Sequence, residues 1–202
     1  MIALSLLAFG LTAASTVTAS PTANIARDAA VGPSCDGLGA GAFDSVSHVT
    51  LAALNTTLPN ANSTGTPLVL ATGGAFANIE IRRFGTWASF GANDYPSISL
   101  VDGTIYLNDG LKPARASEVQ DASPLSFVTS TNGSPIDPAD GAQIYCGVPS
   151  ADPAGFATLA VNGDADSFSI CKEGYQQVVI YKAEADRNEA CYPVKLQIIP
   201  SN

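Results

Sequence analysis

The stretch Ile98-Ser99-Leu100-Val101-Asp102-Gly103-Thr104-Ile105-Tyr106-Leu107 decides the fold class. Two apolar-rich runs flank an Asp-Gly pair. A type I′ turn needs positive φ at both central residues, and Asp-Gly meets that demand with little strain. The stretch therefore reads as a β-hairpin. Outward from it the same texture continues. Upstream strands are expected at Ser45–Leu51, at Leu68–Thr72 (ended by Gly73-Gly74), at Ile79–Phe84 and at Thr86–Phe90. Downstream, Leu125–Thr129 and Gln143–Cys146 follow. A second hairpin is expected from Ala157–Val161 through Asn162–Asp166 to Ser167–Cys171. The last strands are Gln177–Lys182 and Val194–Ile199. The one helical signal is Pro113–Asp121. Short strands at regular spacing, separated by Gly, Pro, Asn and Asp, predict an all-β, single-domain antiparallel sandwich or barrel. The likeness of the two hairpins would also suit a β-trefoil.

Composition narrows the function classes. The 202 residues carry 9 Lys+Arg against 18 Asp+Glu, for a net charge of −9. That balance disfavours nucleic-acid binding, which needs a basic surface. Only 13% of residues are charged and 46% are hydrophobic, so charge-driven disorder is excluded. A single His rules out a histidine-rich metal centre, and no cofactor motif is present: neither a phosphate loop nor a dinucleotide fingerprint occurs.

The N-terminus points to export. Met1–Thr12 is largely apolar and uncharged, and Val17-Thr18-Ala19 ends in small residues, as a secretory signal peptide does. Residues 1–19 are assigned to that signal. Residues 20–34 are assigned to a disordered leader or propeptide, and 35–202 to the β-rich domain. The n-region lacks Lys or Arg, which departs from the usual signal pattern. Cys35, Cys146, Cys171 and Cys191 agree with an oxidising compartment, because their number is even and zinc spacing is absent. Four cysteines allow three pairings. We favour Cys171–Cys191, a loop of about 20 residues contributing ~3 kcal/mol, which leaves Cys35–Cys146. Asn55-Thr56-Thr57, Asn62-Ser63-Thr64 and Asn132-Gly133-Ser134 are N-glycan acceptor tripeptides. The first two share one polar loop; Pro135 directly after the third should lower its use.

Catalytic candidates are sparse. His48 would have to be the base of any Ser-His-Asp triad, and no nucleophile elbow accompanies it; a plain strand histidine explains it better. Among the acids, most aspartates fall in turns, where Asp is favoured. Glu80 lies in a strand and is the one carboxylate of interest for two-carboxylate hydrolysis, but sequence gives it no partner. Asn162–Asp166 with Glu173 mimics the start and end of a calcium loop. It has Asn at the first position and Ser167 where Gly belongs, so a turn explains it better. In Arg82-Arg83, alternation sends one arginine outward and the other toward a rim or carboxylate. Trp87 and Tyr95, near Phe84 and Phe90, are the candidate binding residues: exposed aromatics stack on sugar faces. The competing explanation is a core cluster, which burial tendencies favour.

The C-terminal segments Phe168–Cys171, Val178–Tyr181 and Cys191–Ile199, with Tyr95–Ile105, resemble small secreted fungal cell-wall proteins of the phialide type, or effector-like proteins. The resemblance covers the second half of the chain and rests on strands and cysteines. It implies export and wall association, and it carries over no active site. The expected protein is thus an extracellular, disulfide-linked β-protein, with wall polysaccharide or another protein as partner. Alternatives are a carbohydrate- or host-protein-binding module and a secreted carboxylate hydrolase.

Overall fold

The computed structural model describes residues 32–77, 79–107, 114–130, 141–184 and 190–201. The assigned signal peptide, most of the leader and Asn132 lie outside the described residues. A 3-10 turn at Pro33–Cys35 is followed by β1 (Val46–Asn55), β2 (Thr66–Phe76), β3 (Ile79–Thr86), the one-turn helix α1 (Trp87–Phe90), β4 (Ile98–Val101), β5 (Thr104–Leu107) and β6 (Ala114–Ala116). Then come β7 (Ser123–Pro124), β8 (Ser126–Ser130), β9 (Tyr145–Val148), β10 (Ala157–Val161), β11 (Phe168–Glu173), β12 (Gln176–Tyr181) and β13 (Cys191–Pro200). Every pairing among these strands is antiparallel, as the sequence predicts.

Six strands close into a barrel in the order β1–β13–β11–β12–β3–β2 and back to β1. A second run, β4–β5–β6–β8, leaves β1 at Val46 and Val49 and rejoins β3 along Ile79–Arg83. The ring takes three strands from the start of the chain and three from its end. The threefold alternation of a trefoil is therefore not what closes it. Closure pairs both edges of the long strands β1 and β3, which removes the aggregation hazard of open edges. Leu70, Ile105, Phe127, Ile170 and Leu196 fill the interior, and Phe84 meets Phe127 edge to face at 5.2 Å.

The first hairpin forms as expected: β4 pairs with β5, and Asp102 and Gly103 take φ of 49° and 76°. Four local expectations fail. The helix expected at Pro113–Asp121 is replaced by β6 at Ala114–Ala116, which bridges β5 and β8. A short helix is marginal by itself, and two open strand edges outbid it. The strand expected at Thr86–Phe90 is instead α1. The second hairpin starts and then aborts. Asn162 and Gly163 do adopt positive φ (52° and 77°), and Val161 and Asp164 exchange both backbone bonds. Asp164 Oδ1 then accepts the N–H groups of Asp166 and Ser167 and turns the chain away. Burial raises the Asp164 pKa, but the Ser167 hydroxyl, those two N–H groups and Lys182 outweigh it and hold the carboxyl below its ordinary value. β10 accordingly pairs with β9 and β13, while β11 pairs with β12 and β13. Gly73-Gly74 does not end β2; the register shifts there and the strand runs on to Phe76.

Both disulfides have the favoured pairing, Cys35–Cys146 and Cys171–Cys191, and no described cysteine is free. The second links a register pair of β11 and β13. Gly32 already belongs to the folded body, donating its N–H to Asp44 Oδ2 at 2.5 Å. No described helix is long and apolar enough to cross a membrane.

Candidate functional site

One end of the barrel gathers the features that bear on function. The registers Ala53–Thr66, Leu68–Thr86, Gly85–Val178 and Glu173–Gln176 place the end of β1, the start of β2, the end of β3 and the β11–β12 turn together. Trp87 follows β3 directly. Thr86 Oγ1 donates to Gln177 Oε1 at 3.2 Å, and Tyr175 lies two residues before Gln177. Tyr175 is 100% exposed and Trp87 49% exposed.

The geometry of α1 explains why Trp87 is outside. Gly91 in the left-handed region (φ 64°) closes the single turn, its N–H donating to Trp87 O at 2.8 Å. That is the standard helix stop, and it needs Gly. Ser89 Oγ accepts the Gln177 N–H at 3.0 Å and lies 2.9 Å from Thr86 Oγ1. Phe90 packs against the small cluster of Cys171, Val178 and Ile180, on the outside of the barrel. Phe90 thus anchors the turn and Trp87 is left facing solvent. Trp87 and Tyr175 are thus two exposed aromatic rings on one barrel end, and an aromatic face is the kind of group on which the apolar face of a sugar stacks.

Tyr95, the other candidate binding residue, is corrected: it is 3% exposed and belongs to the main core. The loop carrying it folds beneath Arg82, whose guanidinium lies 5.6 Å from the ring centroid. Tyr175 was not among the sequence candidates. Its signal was present: an aromatic in a Gly-Tyr two-residue turn, with Gly174 at φ 61°, has no neighbours to bury it.

Glu80 gains the partners the sequence withheld. Arg82 Nη2 donates to its Oε2 at 2.9 Å, and Arg82 Nη1 donates to Asp94 Oδ2 at 2.5 Å. Thr72 Oγ1 donates to Glu80 Oε1 at 2.9 Å. Burial opposes the charge on Arg82, but the bonds to Asp94 and Glu80 outweigh it and raise the pKa above its ordinary value. Both carboxylates act as acceptors for one buried guanidinium, which is a structural cluster rather than an open acid–base pair. Arg83 points the other way, to Glu173 Oε2 at 2.7 Å, as strand alternation requires. This occupies the carboxylate counted as the last calcium ligand. Among the described residues no group of three ligating side chains converges. His48 is exposed at a β1 irregularity with φ 51°, and its described hydrogen bonds run through the main chain to Ser99 and Ser201.

A separate exposed apolar strip lies on the β2–β3 hairpin, where Phe76 is 81% exposed and pairs with Ile79, with Ile81 beyond it. Asn55 ends β1 and Asn62 lies in the β1–β2 loop, at the barrel end that carries Trp87. No family model matches the chain, and neither a curated protein nor a solved structure is similar to it.

The mounting of α1 is testable. A Cβ at Gly85 would sit 2.2 Å from Phe90 Cε2 and 2.7 Å from Gln177 O. Gly85→Ala is expected to cost about 1–3 kcal/mol through overpacking and to push α1 outward. Trp87 is the chain's one tryptophan, so its fluorescence should shift to longer wavelength as Phe90 is displaced. Unchanged emission with an unchanged Tm would contradict the packing.

Proposed function

We propose that the protein is a secreted, non-catalytic β-barrel of the fungal wall or exterior that binds neutral polysaccharide through Trp87 and Tyr175. The observation that carries this reading is the pair of exposed aromatics on one barrel end, beside Thr86, Ser89 and Gln177. Two disulfides, the apolar N-terminal segment and the acceptor tripeptides support the extracellular setting. Neutral sugars suit the Ser89 hydroxyl and the Gln177 amide, and exposed Lys172, the register partner of Gln177, adds a further donor beside them. The nearest described ion pair, Arg83–Glu173, is already internally satisfied.

The test is retention of the purified protein on chitin, β-glucan and mannan. One polymer should retain it, and Trp87→Ala and Tyr175→Ala should each weaken binding by about tenfold, equivalent to ~1.4 kcal/mol. Equal retention of parent and variants, or retention by none, would sink the reading. In the second case the Phe76–Ile79–Ile81 strip becomes the surface to probe for a protein partner.

A further inference from the structure

We propose that Asn55 and Asn62 both carry N-linked oligosaccharides, and that the two glycans stand on the barrel end that bears Trp87 and Tyr175. The tripeptides alone show acceptor sequences; the fold adds four observations. First, both adopt the same closed turn. Asn55 Oδ1 accepts from the Thr57 N–H at 2.8 Å, the Thr57 hydroxyl at 3.1 Å and the Leu58 N–H at 2.8 Å. Asn62 Oδ1 accepts from the Thr64 N–H at 3.1 Å, the Thr64 hydroxyl at 2.8 Å and the Gly65 N–H at 2.9 Å. In each case the fold uses the carbonyl oxygen of the amide. Neither Nδ2 makes a hydrogen bond among the described residues, so substituting it costs no native contact.

Second, Asn62 is exposed in the β1–β2 loop, and Asn55 is half-buried at the end of β1, beside exposed Thr56–Asn62. Third, the loop is anchored. Asn60 Nδ2 donates to Asn55 O at 2.8 Å, and the Gln197 amide, turned to the orientation that satisfies both its ends, donates to Ser63 O and Thr64 O at 3.0 and 2.9 Å. Gly65, with φ 81°, lies against the Ala53 backbone, so the loop has one way to return to β2. A glycan at Asn62 is therefore carried on a braced loop. Fourth, Leu58 is 62% exposed within the same loop, leaving apolar surface that the inner sugars of the Asn55 glycan can cover.

The modification is made on the entering chain, before folding. Asn Nδ2 attacks the anomeric carbon of a lipid-pyrophosphate-linked oligosaccharide. The N–C bond forms, the C–O bond to the pyrophosphate breaks, the lipid pyrophosphate leaves, and the amide proton passes to the transferase. The folded structure then has to accommodate the product, and this loop does so at both positions.

The test is intact-mass analysis of the full chain secreted from a eukaryotic host, before and after N-glycosidase digestion. Digestion turns each glycosylated Asn into Asp, which keeps the Oδ1 acceptor and thus the turn. Both Asn55 and Asn62 should be recovered as Asp. Thr57→Ala and Thr64→Ala should each remove one glycan, while Thr64→Ser should keep it. Asn55→Gln is a poorer probe, since it also displaces the acceptor of three hydrogen bonds. Secreted protein in which either Asn55 or Asn62 is recovered unmodified would overturn the proposal. The readout is independent of Trp87 and Tyr175, so its failure is distinct from failure of polysaccharide binding.

Discussion

Deleting the Cys35–Cys146 bridge as Cys35→Ala/Cys146→Ala should cost about 4–5 kcal/mol, more than deleting Cys171–Cys191, at ~3 kcal/mol. The reasoning is loop closure in the unfolded chain. The first bridge joins residues 111 apart in sequence and the second residues 20 apart, so the first removes more freedom from the unfolded ensemble. The contacts it spans are themselves well made. Phe43 and Gly147 exchange backbone bonds of 2.9 and 2.7 Å, Tyr145 N–H donates to Gly103 O at 2.9 Å, and Gly103 N–H donates to Asp44 O at 3.0 Å. These stitches hold the N-terminal segment to β9 and to the first hairpin in the native state, with or without sulfur. Alanine is the right replacement because Cys146 is fully buried and a hydroxyl there would need a partner. Urea unfolding of the two double variants decides the matter. At roughly 2–4 °C per kcal/mol for a chain of this size, the first should melt about 8–20 °C below the parent. The reverse order would show that tying β11 to β13 locally outweighs loop closure.

The second large effect is expected at Arg82. Its side chain is 7% exposed and Glu80's is 15% exposed, while Asp94's is 58% exposed. Arg82→Ala leaves Glu80 largely desolvated, with Thr72 as its one remaining side-chain donor among the described residues, and removes the cation over Tyr95. Breaking a buried pair by removing one partner costs about 3–5 kcal/mol; partial exposure of this cluster places the expectation near ~3 kcal/mol. Glu80→Leu/Arg82→Met should be less damaging than Arg82→Ala alone, because it removes the buried charge along with its partner. Asp94 can return to water in both. Thermal melting of the three proteins tests this. A double variant less stable than Arg82→Ala would mean the cluster is favourable as a whole, not merely costly to break.

These two sites differ in how far they could be read beforehand. The cysteines announced themselves by number, and the pairing followed a plausible guess. What selects it physically is the β11–β13 register, which sets Cys171 opposite Cys191. The Arg82 cluster was half legible. Alternation separated Arg82 from Arg83, but Asp94 comes from a loop whose path depends on Tyr95 seating in the core. The two tyrosines make the same point from opposite sides. Tyr95 is a candidate binding residue whose competing core explanation burial tendencies favour, and the core explanation holds, because its loop is drawn under Arg82. Tyr175 was passed over, yet a two-residue turn leaves its ring in solvent. Burial tendencies favour a core place for Trp87 too, yet it is 49% exposed, and it stands in a one-turn helix rather than the expected strand. Its exposure follows from Phe90 taking the inward position once Gly91 stops the turn.

The sequence by itself determined the β class, the Ile98–Leu107 hairpin and most strand centres. Those depend on alternation and on φ at single turn positions, which neighbouring residues specify. Only the tertiary structure decided which strands pair, that Asn162-Gly163 turns without making a hairpin, that residues 114–116 join the sheet, and which aromatics face water. Those outcomes depend on partners tens of residues away. Free strand edges and open core volume there outweigh local preferences worth a fraction of a kcal/mol per residue.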